Sequence, residues 1–157
     1  MIEVTAAYPV PPAAPGRVRR VRVFPGEPGQ VRRVRAFVAC ALAGCPARET
    51  LLTCVSELAA NAIAHTASGA GGVFTVEVVR PAPGVARVAV SDAGGPREPA
   101  IRYPDEPADL DCLAEGGRGL ALVAACSSSW GYRDADEGAG RVVWAEATWP
   151  VLVHAAV

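Results

Sequence analysis

The sequence contains no lysine, and all fifteen of its basic residues are arginine. This absence excludes Schiff-base catalysis and the lysine of a Walker A phosphate loop. The five cysteines include no C-x-x-C pair and only two histidines occur, which argues against a disulfide framework, a zinc cage and a histidine-rich metal site. We therefore expect the cysteines to be small buried thiols in a reducing compartment.

Two kinds of targeting segment are also missing. No apolar run approaches the length of about 18 residues that a membrane-spanning helix needs, and the start, Met-Ile-Glu-Val, lacks the basic-then-apolar order of a secretory signal. The 157 residues, 51% hydrophobic and 20% charged, are typical of one globular domain. The formal charge of −1 gives no overall attraction to nucleic acid. We expect a cytoplasmic protein that binds neither membranes nor nucleic acid directly.

The charges that are present are unevenly distributed. Residues 1–35 carry seven arginines against two glutamates, whereas residues 92–115 carry seven acids against two arginines. The basic segment lacks the interleaved aromatic residues of a nucleic-acid-binding arm. We interpret it as a solvated strand and helix face, with attraction to the acidic surface of a protein partner as the functional alternative.

Periodicity and turn residues predict an α+β domain. Residues 1–16, with four prolines, are expected to form a flexible tail that precedes a single domain over 17–157. The predicted elements are, in chain order, strand 17–24, helices 29–42 and 48–67, strands 73–79 and 85–90, helix 118–126, and strands 129–133 and 141–148. Short connections between consecutive strands favour a mixed, mostly antiparallel sheet with the helices on one face.

One polar ridge follows the second predicted helix. At 100° per residue, Glu57, Asn61 and His65 lie on successive turns, beside the apolar stripe that the helix would bury. A carboxylate next to a carboxamide suits a site that holds hydrated Mg²⁺ and orients a nucleophile. The alternative is the ordinary polar border of an amphipathic helix. His65 alone is expected to be structural and to bond the last carbonyls of the helix.

Two glycine-containing motifs follow that helix. Asp92 ends a predicted strand before two glycines, so its carboxylate can accept a hydrogen bond from an amino group on a flat ring that the backbone approaches closely. An ordinary strand-ending turn gives the same pattern. Gly117-Arg118-Gly119 opens the third helix, where backbone N–H groups and a guanidinium suit a phosphate. The alternative there is a flexible loop leading into a core helix.

In this order the motifs resemble those of the GHKL ATPase superfamily, and most closely its branch of anti-sigma-factor serine kinases. The resemblance covers roughly residues 20–149 and is carried by Ser56-Glu-Leu-Ala-Ala-Asn-Ala-Ile-Ala-His-Thr66, Asp92 with Gly94, Gly117-Arg-Gly119 with Leu120, and Gly140-Arg-Val-Val-Trp144. It implies a Bergerat-type two-layer α/β sandwich with an ATP lid over about 93–117.

The resemblance also implies cofactors, roles and partners. Glu57 corresponds to the family's general base. The residues that would contact Mg·ATP are Asn61, which would also bind the metal, Asp92, Gly94, Gly117, Arg118, Gly119 and Leu120. The implied protein partners are an anti-anti-sigma factor and a sigma factor, and relatives of this type form homodimers.

Two positions depart from the family pattern. Pro96 replaces the second glycine of D-x-G-x-G, and Arg141 stands where a threonine is usual. Because proline fixes φ and removes a backbone donor, we expect the nucleotide edge of the pocket to differ. The resemblance implies an Mg·ATP-dependent protein serine kinase that regulates transcription. The alternative is a catalytically weak or inactive module of the same fold that acts by binding a partner.

Overall fold

A computed structural model describes residues 17–96, 98–101, 118–135 and 140–152. The predicted tail at 1–16, most of the predicted lid and Gly117 lie outside the described residues. The helices and strands are β1 Val18–Pro25, α1 Gln30–Ala41, α2 Arg48–His65, β2 Val73–Ala82, β3 Val85–Asp92, α3 Gly119–Cys126, β4 Ser129–Asp134 and β5 Arg141–Thr148. None of these helices combines the length and the apolar character needed to cross a membrane.

The five strands form one sheet in the order β1-β2-β3-β5-β4. Every pairing between them is antiparallel, so the prediction of a mostly antiparallel sheet is confirmed. Gly84, at φ +78°, closes the β2–β3 hairpin, because a tight hairpin turn needs a residue that tolerates positive φ. The β3–β5 register places Asp92 directly opposite Arg141.

Alternation along the strands explains the two layers. In β2, Phe74, Val76 and Val78 are almost completely buried, while Val73, Thr75 and Glu77 between them are not. Helix α2 contacts β3 and β5, with α1 and α3 packed against it. The predicted apolar stripe of α2 is buried in this core. Burial of the stripe fixes the rotation of the helix and holds the adjacent polar ridge at the border of the core.

Helix α2 ends at His65 because of the residue that follows. Thr66 adopts an extended backbone (φ −127°, ψ 166°), and its hydroxyl donates to the Ala62 carbonyl at 2.6 Å. The same oxygen accepts the N–H of Ser68 at 3.2 Å and opens a 3₁₀ turn at Ala67–Gly69. The prediction that His65 bonds the last carbonyls is therefore wrong. Its side chain is exposed, and the shorter, β-branched Thr66 is already placed for this bond.

The described cysteines are free and fall into two classes. Cys45 and Cys54 are buried, whereas Cys40 and Cys126 are exposed. The expectation of small buried thiols is thus wrong for two of them, because the positions of Cys40 and Cys126 on α1 and α3 face away from the core. Burial raises the pKa of the Cys54 thiol to about 11, so this thiol stays protonated and unreactive at neutral pH.

Candidate functional site

Two side chains of α2 meet the first residue of α3. A Cβ on Gly119 would lie 2.6 Å from Glu57 Oε2 and 3.6 Å from both Asn61 Oδ1 and Asn61 Nδ2. Glu57 and Asn61 are half-buried and one turn apart on α2. The absence of a side chain at Gly119 lets the carboxylate and the carboxamide approach the start of α3 this closely. The structure therefore brings together three of the predicted site residues.

The polar groups of this pair are accessible to solvent. Within the residues that the structure describes, neither Glu57 nor Asn61 forms a hydrogen bond. Among the described residues, the buried side-chain polar atom that lacks a partner is Trp130 Nε1, so the polar atoms of Glu57 and Asn61 are reached by water. An amide and a carboxylate that are open at a shared point can both contact a bound ligand.

No side chain of the described residues caps the start of helix α3. Its N-cap residue, Arg118, makes no capping hydrogen bond, and no acidic residue lies in the first turn. The first N–H groups of the helix and its dipole thus leave a positive end that suits a phosphate or another anion. The exposed Arg118 side chain adds a charge there. Leu120, by contrast, is buried in the core, so its side chain anchors α3 and only its backbone can face a ligand.

Asp92 forms a turn at the end of β3. Its Oδ1 accepts the N–H of Gly94 at 2.7 Å, and Gly94 takes the positive φ of +72° that glycine tolerates. The carboxylate makes no second hydrogen bond to the described residues. Burial raises the pKa of Asp92, although the Gly94 N–H and the Arg141 charge oppose the shift. The turn leaves Oδ2 available to an amino group on a planar ligand.

The loop after Asp92 is hydrogen-bonded to the turn that directly follows α2. The N–H of Ala93 donates to Ser68 Oγ at 2.9 Å, and the N–H of Ala67 donates to the Gly94 carbonyl at 3.4 Å. A Cβ on Gly95 would lie 2.8 Å from the His65 carbonyl. Sequence reasoning missed these three contacts, because the composition of the segment around Ser68 indicates only that a helix ends there.

The two departures from the family pattern lie in different surroundings. Pro96 is exposed and follows the Asp92–Gly94 turn, which forms with the proline in place. The close backbone approach belongs to Gly95, one residue earlier. Arg141 faces Asp92 across the β3–β5 pairing, and its side chain is only 12% exposed. Arg141 therefore places a fixed positive charge beside the carboxylate.

A polar network at this edge of the sheet was not predicted. Arg141 Nε donates to Asp134 Oδ1 at 3.0 Å, and the guanidinium lies 5.6 Å from the centre of the Tyr132 ring. The Tyr132 hydroxyl donates to Glu98 Oε2 at 3.1 Å, and burial together with Glu98 raises the pKa of Tyr132. The network depends on the strand register, which no local sequence pattern reveals.

The donor set can be tested against a divalent cation. The described part of the chain contains no group of three or more His, Cys, Asp or Glu residues that could hold a metal ion. Mg²⁺ does not require such a cage, since one or two protein oxygens together with phosphates and waters complete its shell. Asn61 Oδ1, beside the start of α3, offers one such oxygen. The residues fit a hydrated Mg²⁺ that binds together with a phosphate.

Removing the charge of Asp92 is expected to stabilise the free protein at neutral pH. Because burial raises its pKa in the folded state, the free energy of unfolding falls as pH rises from about 3.8 through the folded-state pKa. Asp92→Asn abolishes this fall and keeps an oxygen for the Gly94 N–H. Urea unfolding should therefore show a more stable variant at pH 7 and equal stabilities at pH 3. The control is Glu27→Gln, which removes an exposed carboxylate that forms no ion pair with the described residues. A stability gain for Asp92→Asn that did not change with pH would contradict the prediction.

A protein-family model matches most of the chain. The model of a family described as "Histidine kinase-like ATPase domain" matches residues 24–146, from the end of β1 into β5 and including Glu57, Asn61, Asp92 and Gly119. A search of curated proteins finds no significant match.

Proposed function

The chain belongs to the histidine kinase-like ATPase domain family, and we propose that it is an Mg·ATP-dependent protein serine kinase of the anti-sigma-factor type. The observation that supports this most directly is the convergence of Glu57 and Asn61 on the uncapped start of α3 at Gly119. Phosphoryl transfer depends mainly on positioning and on neutralisation of negative charge, and this arrangement offers a base, a metal ligand and anion-binding N–H groups at one point.

The nucleotide would lie between this point and Asp92. Asp92 Oδ2 would accept a hydrogen bond from the exocyclic amino group of adenine, while Gly94 keeps the turn open. The N-terminus of α3 and Arg118 would hold phosphate oxygens, and Asn61 Oδ1 would bind Mg²⁺. The bound Mg·ATP would supply a transferable phosphoryl group with part of its charge neutralised.

The remaining chemistry falls to Glu57. Its Oε2 would accept the proton of the substrate serine hydroxyl and orient the hydroxyl oxygen towards the phosphoryl group. The half-buried position limits competition from water, and the positive end of α3 would stabilise negative charge that develops nearby. Gly119 matters to this step because any side chain there would occupy the space of the carboxylate.

The partners are proposed from the sequence resemblance. The phosphorylated protein would be an anti-anti-sigma factor, and a sigma factor would bind in alternation with it, so that the kinase regulates transcription. A homodimer is the assembly that the resemblance implies. One observation favours a second candidate, a partner-binding module with little catalysis: the largely buried Arg141 lies next to Asp92, where the family usually has a smaller threonine.

Calorimetric titration with Mg·ATP distinguishes these candidates. The kinase is expected to bind Mg·ATP saturably. Asn61→Ala should weaken binding about 10- to 100-fold, which is about 1.4–2.8 kcal/mol, because it removes the protein oxygen that would ligate Mg²⁺. Thr53→Ala, on the same helix, serves as the control and should leave the affinity unchanged. Absence of binding at millimolar Mg·ATP would overturn the kinase proposal in favour of the binding module.

A further inference from the structure

Strand β1 is an edge of the sheet. It pairs with β2 on one side, and no other described strand pairs with its outer side. Backbone N–H and C=O groups along an unpaired edge can form hydrogen bonds with another extended chain. Strand β2 separates this edge from β3 and Asp92, so the surface is distinct from the candidate nucleotide site.

The helix side of this edge carries two cations without ion-pair partners. Arg20 and Arg22 are exposed and alternate with Val21 and Val23 along the strand. Neither forms an ion pair within the described part of the chain, unlike Arg19, which is paired with Glu77. The Arg22 guanidinium lies 5.3 Å from the centre of the Phe24 ring, a contact that orients the side chain without neutralising its charge.

The opposite side of the same edge exposes apolar surface. Val21 is 50% exposed and Val23 is 57% exposed. The stripe continues to Val73, which pairs with Pro25 and is 56% exposed. Arginines alone would be explained as protection of an edge against aggregation. Adjacent exposed valines do the opposite, since they add apolar surface that a partner can cover.

We propose that β1 binds an extended acidic segment of a partner protein, which adds to the sheet as a further strand. Side chains alternate between the two faces of a sheet, so β1 specifies the partner's pattern. The partner residues opposite Arg20 and Arg22 are acidic, and those opposite Val21 and Val23 are apolar. This alternation of acidic and apolar residues is the recognition signal.

The charge of β1 disfavours a second copy of this chain as the occupant. Two β1 strands paired with each other would bring together arginines from both copies, and like charges across a strand pair are destabilising. An acidic segment would instead form ion pairs with Arg20 and Arg22. The proposal does not depend on nucleotide binding, because the β1 residues that carry it lie away from Asp92 and Glu57.

Fluorescence anisotropy with a labelled synthetic peptide tests the proposal. The probe is STVEVEVTS, in which glutamate and valine alternate, and the matched peptide STEEVVVTS has the same composition in blocks. The alternating peptide should bind saturably and at least about tenfold more tightly than the block peptide. A third peptide, N-methylated at the alternate amides that would face β1, should lose about tenfold or more, because it cannot form the edge hydrogen bonds.

Protein variants then locate the binding surface. Arg20→Glu combined with Arg22→Glu should weaken binding of the alternating peptide about tenfold or more. Arg32→Glu combined with Arg33→Glu makes the same change of charge on the exposed side of α1 and should stay within about threefold. Asn61→Ala should bind the peptide as tightly as the wild type does, although it is expected to bind Mg·ATP more weakly. The peptide assay and the Mg·ATP titration therefore test the two proposals independently.

Three results would overturn the proposal. The first is that the block peptide or the N-methylated peptide binds as tightly as the alternating peptide. The second is that both arginine double variants lose the same amount of affinity for the alternating peptide. The third is that the protein forms a concentration-dependent dimer, which the Arg20 and Arg22 substitutions dissociate. The first two would mean attraction between charges without strand pairing, and the third would mean that the edge binds a second copy. Circular dichroism of both double variants verifies that a loss of binding does not come from unfolding.

Discussion

Glu57→Ala is expected to abolish phosphoryl transfer, lowering its rate by about 10³-fold or more, while Mg·ATP affinity stays within about threefold of the wild type. The carboxylate would act on the substrate hydroxyl and not on the nucleotide, so its loss removes the proton acceptor and leaves the nucleotide contacts in place. Glu57→Gln tests the same role with a nearly isosteric side chain that cannot accept the proton, and should fail equally.

The measurement is single-turnover transfer of labelled γ-phosphate from ATP to individually purified anti-anti-sigma proteins. Calorimetry with Mg·ATP on the same protein preparations reports binding separately. Glu49→Ala is the matched control, because it removes a carboxylate near the start of the same helix. Within the described part of the chain, the side chain of Glu49 pairs with Arg48 alone. Transfer by Glu57→Ala at the wild-type rate would remove Glu57 from the mechanism.

Gly119→Ala is expected to reduce phosphoryl transfer about 100-fold without destabilising the protein. The new Cβ would lie 2.6 Å from Glu57 Oε2, closer than non-bonded atoms approach. The carboxylate, as the end of a flexible side chain, can move aside at little cost, and alanine favours a helix more than glycine does by about 1 kcal/mol. Stability is retained, whereas a displacement of about 1 Å at a reacting group can cost about 100-fold in rate.

Gly29→Ala supplies the control for this substitution. Gly29 is also at the start of a helix, and a Cβ there meets nothing within 4 Å. Gly29→Ala should have the wild-type stability in urea unfolding and the wild-type rate of phosphoryl transfer. Gly119→Ala should keep its stability and lose only transfer rate. A Gly119→Ala protein that transfers phosphate at the wild-type rate would show that the contact with Glu57 has no bearing on catalysis.

Local patterns in the sequence predicted the elements and the polar ridge of α2. Apolar spacing located α1 and α2 to within two residues at each end, because an amphipathic helix must repeat its apolar residues with its own period. The same geometry placed Glu57 and Asn61 on one face. The roles that we propose for the pair come from the family resemblance and not from the spacing of the residues.

Contacts between distant segments could not be predicted in this way. The approach of Gly119 to Glu57 depends on how α3 packs on α2, and the position of Arg141 opposite Asp92 depends on the β3–β5 register. The error over His65 has a local cause. The side chains of His65 and Thr66 could each donate a hydrogen bond to a carbonyl at the helix end. In the structure, the Thr66 hydroxyl makes the bond to the Ala62 carbonyl.

Because the Asp92 loop is attached directly after the end of α2, the length of that helix sets the distance between the loop and the Glu57–Asn61 pair. The loop is hydrogen-bonded to Ala67 and Ser68 in the turn directly after α2, and Glu57 and Asn61 lie earlier on that helix. With a rise of 1.5 Å per residue, Glu57 and His65 are about 12 Å apart along the helix axis. A ligand that reaches both ends is therefore selected by its length as well as by its chemistry, and any change in the number of residues between the two points would alter the spacing and rotate one end relative to the other.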